Sequence, residues 1–233
     1  MADNLGTNIR EHLIAKGAVL VGFADVSMLP TPERCGLPRG IAVAVKYDKD
    51  IICGIGEFPT PEYHDAYQAL NKKLDALVTD CASFLKSLGF NAEARTLDFV
   101  GEFETDHASR HPHKTIARLA GLGWIGKSAL LVTEQYGSMV RLSTVMTDAP
   151  LETGAPMDTP KCGDCMICTN ACPAGAVQGN NWKPDCKRDH IFDAVRCRKT
   201  ARELSDKYVS SEAGTICGKC IFICPYTQRY LRG

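Results

Sequence analysis

CGDCMICTNACP, residues 162–173, and CGKCIFICP, residues 217–225, decide the fold of this chain. The first stretch sets Cys162, Cys165, Cys168 and Cys172 at the spacing C-x2-C-x2-C-x3-C-P. At that spacing three neighbouring thiolates grip three irons of one cube, and the cysteine before proline reaches to a second cube. The second stretch sets Cys217, Cys220 and Cys224 ahead of Pro225, with Gly214 standing where one more cysteine would complete the pattern. The runs complete each other. Cys162, Cys165, Cys168 and Cys224 are expected to hold one [4Fe–4S] cluster, and Cys172, Cys217 and Cys220 three corners of the other. Cys186 and Cys197 both lie between the runs. Cys186 is the expected eighth ligand, because the segment after Cys172 can form a compact turn. Cys197 falls in a helical-looking stretch, 189–204, and is the alternative.

C-x2-C pairs also build zinc ribbons, and cysteine-rich chains also build disulfide frameworks. Both fit worse. Zinc closes with two pairs and gains nothing from a third cysteine, a fourth at x3 and a following proline. The opening MADNLGTNIREHLIAKG mixes acidic and basic residues without an apolar stretch, so a secreted scaffold is not expected. Cys35, Cys53 and Cys81 match no ligand spacing and are expected to be small buried hydrophobes.

The chain has 233 residues, 45% hydrophobic and 23% charged, with no apolar run near the ~18 residues a membrane span needs. Its 27 basic and 27 acidic side chains cancel, so no global field recruits nucleic acid or an anionic membrane. The charge is uneven, since residues 183–233 hold 11 of the basic and 6 of the acidic groups, a net +5. That tail suits an acidic donor protein or offsets the negative charge of thiolate-bound clusters. Free thiolates and cubane clusters together imply the cytoplasm.

Residues 6–17 read as a helix ending at Gly17, and 18–26 and 40–48 as short apolar strands. Pro61 opens the longest helix, closed by Gly89, with Leu70, Leu74, Leu77, Val78, Ala82, Leu85 and Leu88 among the residues of one face. A weak strand at 91–99 and a short helix at 113–121 follow, then two strands within 130–148 about a turn at 135–137. Strands interleaved with helices predict an α/β layered domain over 1–155, followed by a ferredoxin-like double [4Fe–4S] cluster domain over 156–233.

AGLGWIGK at 120–127 brings Gly121, Gly123 and Gly126 close together before Lys127. Such backbone can approach a bound group, although it lacks P-loop spacing and glycine-rich turns are more often simply turns. This phrase, EQYGS at 134–138, the CGDC start, ACPAGAV at 171–177 and the final CGKC…CPY together resemble the epoxyqueuosine reductases. These are cobalamin-dependent iron–sulfur enzymes related to reductive dehalogenases. The resemblance spans most of the chain and is strongest from 117 to 226. It implies a reductase with two [4Fe–4S] clusters and a cobalamin, with flavin the lesser candidate, over Gly121, Gly123, Trp124, Gly126, Lys127 and Tyr136. It also implies Cys186 as the extra cluster ligand. The family's proton-donating aspartate falls near FETDHASRHPHK, where Asp106 and His107 straddle the position and either could act as general acid. His107, His111 and His113 could alternatively bind a metal or sit in a polar loop, the default reading, and His64 reads as a surface or packing residue.

Full family members continue into a helical-repeat domain that helps hold tRNA, whereas this sequence stops at Gly233. A small-molecule substrate is therefore expected, with tRNA in doubt, no membrane, and a low-potential ferredoxin or flavodoxin as electron donor. The competing function is a ferredoxin-like electron-transfer or docking protein with no organic cofactor.

Overall fold

The computed structural model describes residues 2–100 and 113–233. Its elements run α1 (Ala2–Ala15), β1 (Leu20–Asp25), β2 (Arg39–Lys46), α2 (Lys49–Ile55), α3 (Pro61–Ser87), β3 (Ala92–Arg95), α4 (Leu97–Val100) and α5 (His113–Leu119). Then follow β4 (Trp124–Ile125), β5 (Leu131–Val132), β6 (Val140–Thr147), α6 (Ile167–Asn170), α7 (Ala194–Tyr208), α8 (Lys219–Phe222) and α9 (Pro225–Arg232). The chain divides into two compact units. One comprises Met1–Val45, Leu70–Gly123 and Arg141–Met157, the other Lys46–Ala69, Trp124–Val140 and Asp158–Gly233. A linear division at 155 cuts the sequence once, whereas these units exchange segments along it.

The first unit is built on a sheet of order β1-β2-β6-β3. β1 and β2 run antiparallel from Leu20 opposite Ala44 to Asp25 opposite Arg39, and β3 and β6 antiparallel from Ala92 opposite Thr147 to Arg95 opposite Thr144. The two-residue period of a strand sorts large from small. Val21, Phe23, Ile41, Val43 and Val45 enter one core with Ile9 and Leu13 of α1 and Leu74, Leu77, Val78 and Leu85 of α3. Gly22 and Gly40 face the other way. A methyl added to Gly22 would lie 2.8 Å from Leu122 and 3.0 Å from Ala120, and one on Gly40 would lie 2.7 Å from Ile116. Bare backbone there lets α5 and the turn after it lie close on the sheet. Asp80 of α3 ties back to His12 Nε2 of α1 at 2.5 Å and to Lys16 Nζ just beyond that helix at 2.6 Å.

The proline and glycine punctuation of α3 holds: Pro61 is its first residue, and Gly89, at φ 87°, follows its end. Leu88 lies beyond the helix and is exposed. Of the three isolated cysteines, only Cys81 is buried, and burial followed by the Asp80 charge pushes its thiol up to about 12. Cys35 and Cys53 are exposed, which corrects the expectation that all three are core residues. The residues 130–148 do hold two strands, but not as a hairpin. β5 pairs with β4, and β6 joins the large sheet. Among the described residues, no helix is long and apolar enough to cross a membrane.

In the second unit, β4 and β5 form a two-stranded ribbon, Trp124 opposite Val132 and Ile125 opposite Leu131. Gly126 N–H donates to Leu130 O and Ala129 N–H to Gly126 O, both at 2.9 Å, and Ala129 takes φ 59° in the turn. The GWIGK segment is thus a strand and a turn. The α2 segment supports the second cysteine run. Lys219 Nζ donates to Gly56 O at 2.9 Å, and a methyl on Gly218 would lie 2.7 Å from Ile55 and 2.9 Å from Tyr63.

Candidate metal centre

Cys162 lies in a tight turn, Cys165 just after it and Cys168 within α6, and Cys165 N–H donates to Cys162 O at 2.9 Å. Cys224 caps the start of α9, where Pro225 supplies the fixed φ of a first helical residue. The four thiols are brought together. Burial pushes Cys168 up to about 11, and the charges of Cys162, Cys224 and Cys165 add to that shift. Burial also raises Cys224, while the N–H groups of Thr227 and Tyr226 and the Ser138 hydroxyl hydrogen-bond its sulfur and act against the rise. Ser138, Tyr226 and Thr227 carry no motif that marks them as site residues. Their role comes from the EQYGS turn. Gly137, at φ 57°, lies so close to α9 that a methyl on it would overlap Thr227 N, and Ser138 N–H donates to Thr227 Oγ1 at 3.1 Å.

The second set differs from expectation at one corner. Burial raises Cys220 well above the ordinary thiol range, with Cys217, Cys197, Cys168 and Cys172 acting on it in that order. Cys197 is pushed up to about 11 by burial, then by Cys217, Cys172 and Asp193. Cys186 is not among the groups acting on Cys197, Cys217 or Cys220. Its sulfur accepts from Lys183 N–H at 3.4 Å inside its own turn. Cys172, Cys197, Cys217 and Cys220 thus act on one another electrostatically, and Cys186 is not among the groups acting on the last three. The cause is α7. Asp193 caps this helix by accepting from Arg196 N–H at 2.9 Å, and buried Ser205 accepts from Ile216 N–H at 2.9 Å. That bond fixes the helix carrying Cys197 to the residue before Cys217.

Buried thiols beside one another resist ionising, so each set favours a cationic guest that takes thiolates and cancels their repulsion. Among the described residues, no three His, Cys, Asp or Glu side chains close on one point as a single ion requires. A cube asks for something else, one thiolate at each iron.

The residues expected to face a cofactor have packing partners of their own. Trp124 is fully buried, with Tyr226 edge-on at 4.8 Å between ring centroids. A methyl on Gly126 would lie 2.8 Å from Val132, and one on Gly121, at φ 75°, would lie 2.8 Å from Ala155 O. Both glycines are required by packing within their own units. Gly121 and Gly123 belong to the first unit, and Trp124, Gly126, Lys127 and Tyr136 to the second. Tyr136 packs on Tyr230 at 5.1 Å. Lys127 is buried, its Nζ 3.6 Å from Met166 Sδ. His64 lies beside Asp65 at 3.1 Å, and His113 Nδ1 is 3.0 Å from Thr144 Oγ1, so both have packing or surface partners. Asp106, His107 and His111 lie outside the described residues.

No family model matches the chain. The epoxyqueuosine reductase of Bacillus subtilis is 28% identical to it over 222 residues, 92% of this chain and 48% of that enzyme. The chain is similar to the epoxyqueuosine reductases over most of its length. It spans about half the length of that curated relative. A solved epoxyqueuosine reductase in complex with an epoxyqueuosine-modified tRNA-Tyr stem loop superposes with a TM-score of 0.63 at 20% identity, covering 98% of this chain and 66% of that one. A reductive dehalogenase structure described in terms of B12-dependent dehalogenation gives 0.66 at 16% identity, covering 93% of this chain and 32% of that one. Epoxyqueuosine reductases and dehalogenases thus share the mixed α/β fold described above.

Proposed function

We propose that this chain is an iron–sulfur reductase that carries electrons through two [4Fe–4S] clusters to a reductive step on an epoxyqueuosine-bearing tRNA. The observation that carries this reading is the gathering of eight cysteines into two sets of four, Cys162, Cys165, Cys168 and Cys224 in one and Cys172, Cys197, Cys217 and Cys220 in the other. Cys168 acts on Cys220, so the sets are neighbours and electrons pass between them over a short path. The stoichiometry suits the reaction. Removing an epoxide oxygen to leave an alkene takes two electrons and two protons and releases water, and each cube stores one electron.

The substrate assignment rests on the family and on the likeness to the structure bound to a tRNA stem loop. The expected small-molecule substrate gains no support from the relatives. A corrinoid is proposed from the likeness to the B12-dependent dehalogenase. When bound it supplies reductive bond cleavage. Because Trp124, Gly126 and Lys127 are packed against protein, no step is assigned to those residues as its cradle. Asp106 or His107 is proposed to deliver a proton, and an acidic low-potential ferredoxin or flavodoxin to deliver electrons to the basic C-terminal segment.

The test is anaerobic incubation of the cluster-loaded protein with a chemical reductant, cob(II)alamin and an epoxyqueuosine-bearing stem loop. The account expects conversion to the alkene, lost in Asp106→Asn or His107→Gln. Intact clusters with no conversion of either the stem loop or the free nucleoside would remove epoxyqueuosine as the substrate and favour the electron-carrier reading.

A further inference from the structure

Among the described residues the most deeply buried charge is Arg95, 1% exposed at the end of β3. The proposed reduction gives it no task. Its Nη2 donates to Glu33 O at 2.7 Å, while its buried Nε and Nη1 have no hydrogen-bond partner among the described residues. The Phe99 ring covers the guanidinium, 4.9 Å from the ring centroid. Neither contact is an ion pair. Burial lowers the pKa of this group, and the charges of Cys35 and then Glu93 act against the fall without pairing with it. A guanidinium keeps its proton in proteins, so the charge persists, and a buried charge is costly until an opposite charge answers it.

A small cavity adjoins this side chain, built wholly from the first unit. Arg95, Thr115 and Thr144 form its polar wall, and Leu29, Ile116 and Met146 its apolar one. Thr144 stands opposite Arg95 in the pairing of β3 with β6, and its hydroxyl lies 3.0 Å from His113 Nδ1. Glu33 also lines the space, and its carboxylate is not among the charges acting on the guanidinium. The cavity measures about 10 Å³, room for one water-sized guest. That size excludes phosphate, sulfate and organic acids and leaves a monatomic ion. A halide is slightly larger than water, and the unbranched Met146 side chain can yield to it. Water would accept one N–H and leave the charge unanswered, whereas a halide does both.

We propose that this cavity is a halide site, in which one chloride accepts from the Arg95 guanidinium and serves as its counter-charge. The walls come from β3, β6, α5 and the turn carrying Glu33, so filling the site ties these segments together and stabilises the first unit by mass action. The proposal uses no cysteine of either set and stands apart from the two-cluster reading.

The experiment follows thermal unfolding of the full chain, loaded anaerobically, by circular dichroism in potassium chloride and in potassium gluconate of equal ionic strength. Gluconate is too large for the cavity. Wild type is expected to melt higher in chloride by a saturable rise of about 2–4 °C, and bromide to reproduce the rise. In Arg95→Met, which replaces the charge by an apolar chain, the two salts are expected to give one midpoint. Equal midpoints in the two salts for wild type, or a chloride-specific rise that persists in Arg95→Met, overturn the proposal. Should Arg95→Met fail to fold, crystals of wild type grown from sodium bromide decide the matter. An anomalous peak within hydrogen-bond distance of Arg95 Nε or Nη1 supports the site, and a cavity holding water only overturns it.

Discussion

Cys197 and Cys186 stand at the centre of the residue-scale argument, because a three-residue spacing can be read along a chain and a fold-closing contact cannot. Seven of the eight proposed ligand positions lie in runs whose local geometry follows from C-x2-C and C-x3-C-P. The proposed eighth, Cys197, sits on α7, which the Ser205 to Ile216 bond ties to the residue before Cys217, a tertiary event without a sequence signature. Cys197→Ser is predicted to lower anaerobic iron from about eight to about four per chain, whereas Cys186→Ser keeps about eight. Equal losses in both variants would contradict the assignment. Ser205→Ala leaves the Ile216 N–H buried without its acceptor, a cost of about 1–3 kcal/mol measurable by chemical denaturation. Ser138, Thr227 and Met166 were equally hidden from sequence reading, being ordinary residues made important by what folds against them.

At the scale of elements, period and punctuation carried well. The 3.6-residue stripe of α3 between Pro61 and Gly89, and the alternation that turns Val21, Phe23, Ile41 and Val43 toward α1 and α3, are both legible in the bare sequence. Pairing was not legible. β4 is two residues long and sits inside a glycine-rich phrase, so the turn at 135–137 reads as a hairpin when its flanking strands in fact pair elsewhere. That turn serves α9. Gly137→Ala combines a disfavoured φ of 57° with overlap at Thr227 N, and is predicted to cost more than about 2 kcal/mol and to loosen the Cys224 corner. Wild-type stability with full iron in this variant would argue against the turn's role. In α3, Cys81 gives a pH signature. Its thiol stands at about 12 in the folded chain against about 9 in the unfolded one, so its contribution is complete below pH 9 and is lost as pH rises from 9 through 12. Melting of the loaded protein is predicted to fall more steeply across that window in wild type than in Cys81→Ala. Parallel profiles would show that Cys81 contributes nothing there.

For the whole molecule, interleaved strands and helices predicted an α/β fold, and the structure is mixed α/β with a small sheet. The unit boundaries were beyond the sequence, because the second unit draws in Lys46–Ala69 and Trp124–Val140 to support the cysteine runs. The recruited segments have plain physical tasks. Gly56 O anchors Lys219, Ile55 and Tyr63 crowd Gly218, and Ser138 donates to Cys224. Everything proposed about electron flow and reduction follows from two sets of four thiols holding two cubes. Iron and acid-labile sulfide analysis of anaerobically prepared protein tests that claim most directly. About eight of each per chain is the predicted result, while a single zinc, or about four irons with no further uptake on reconstitution, would contradict it.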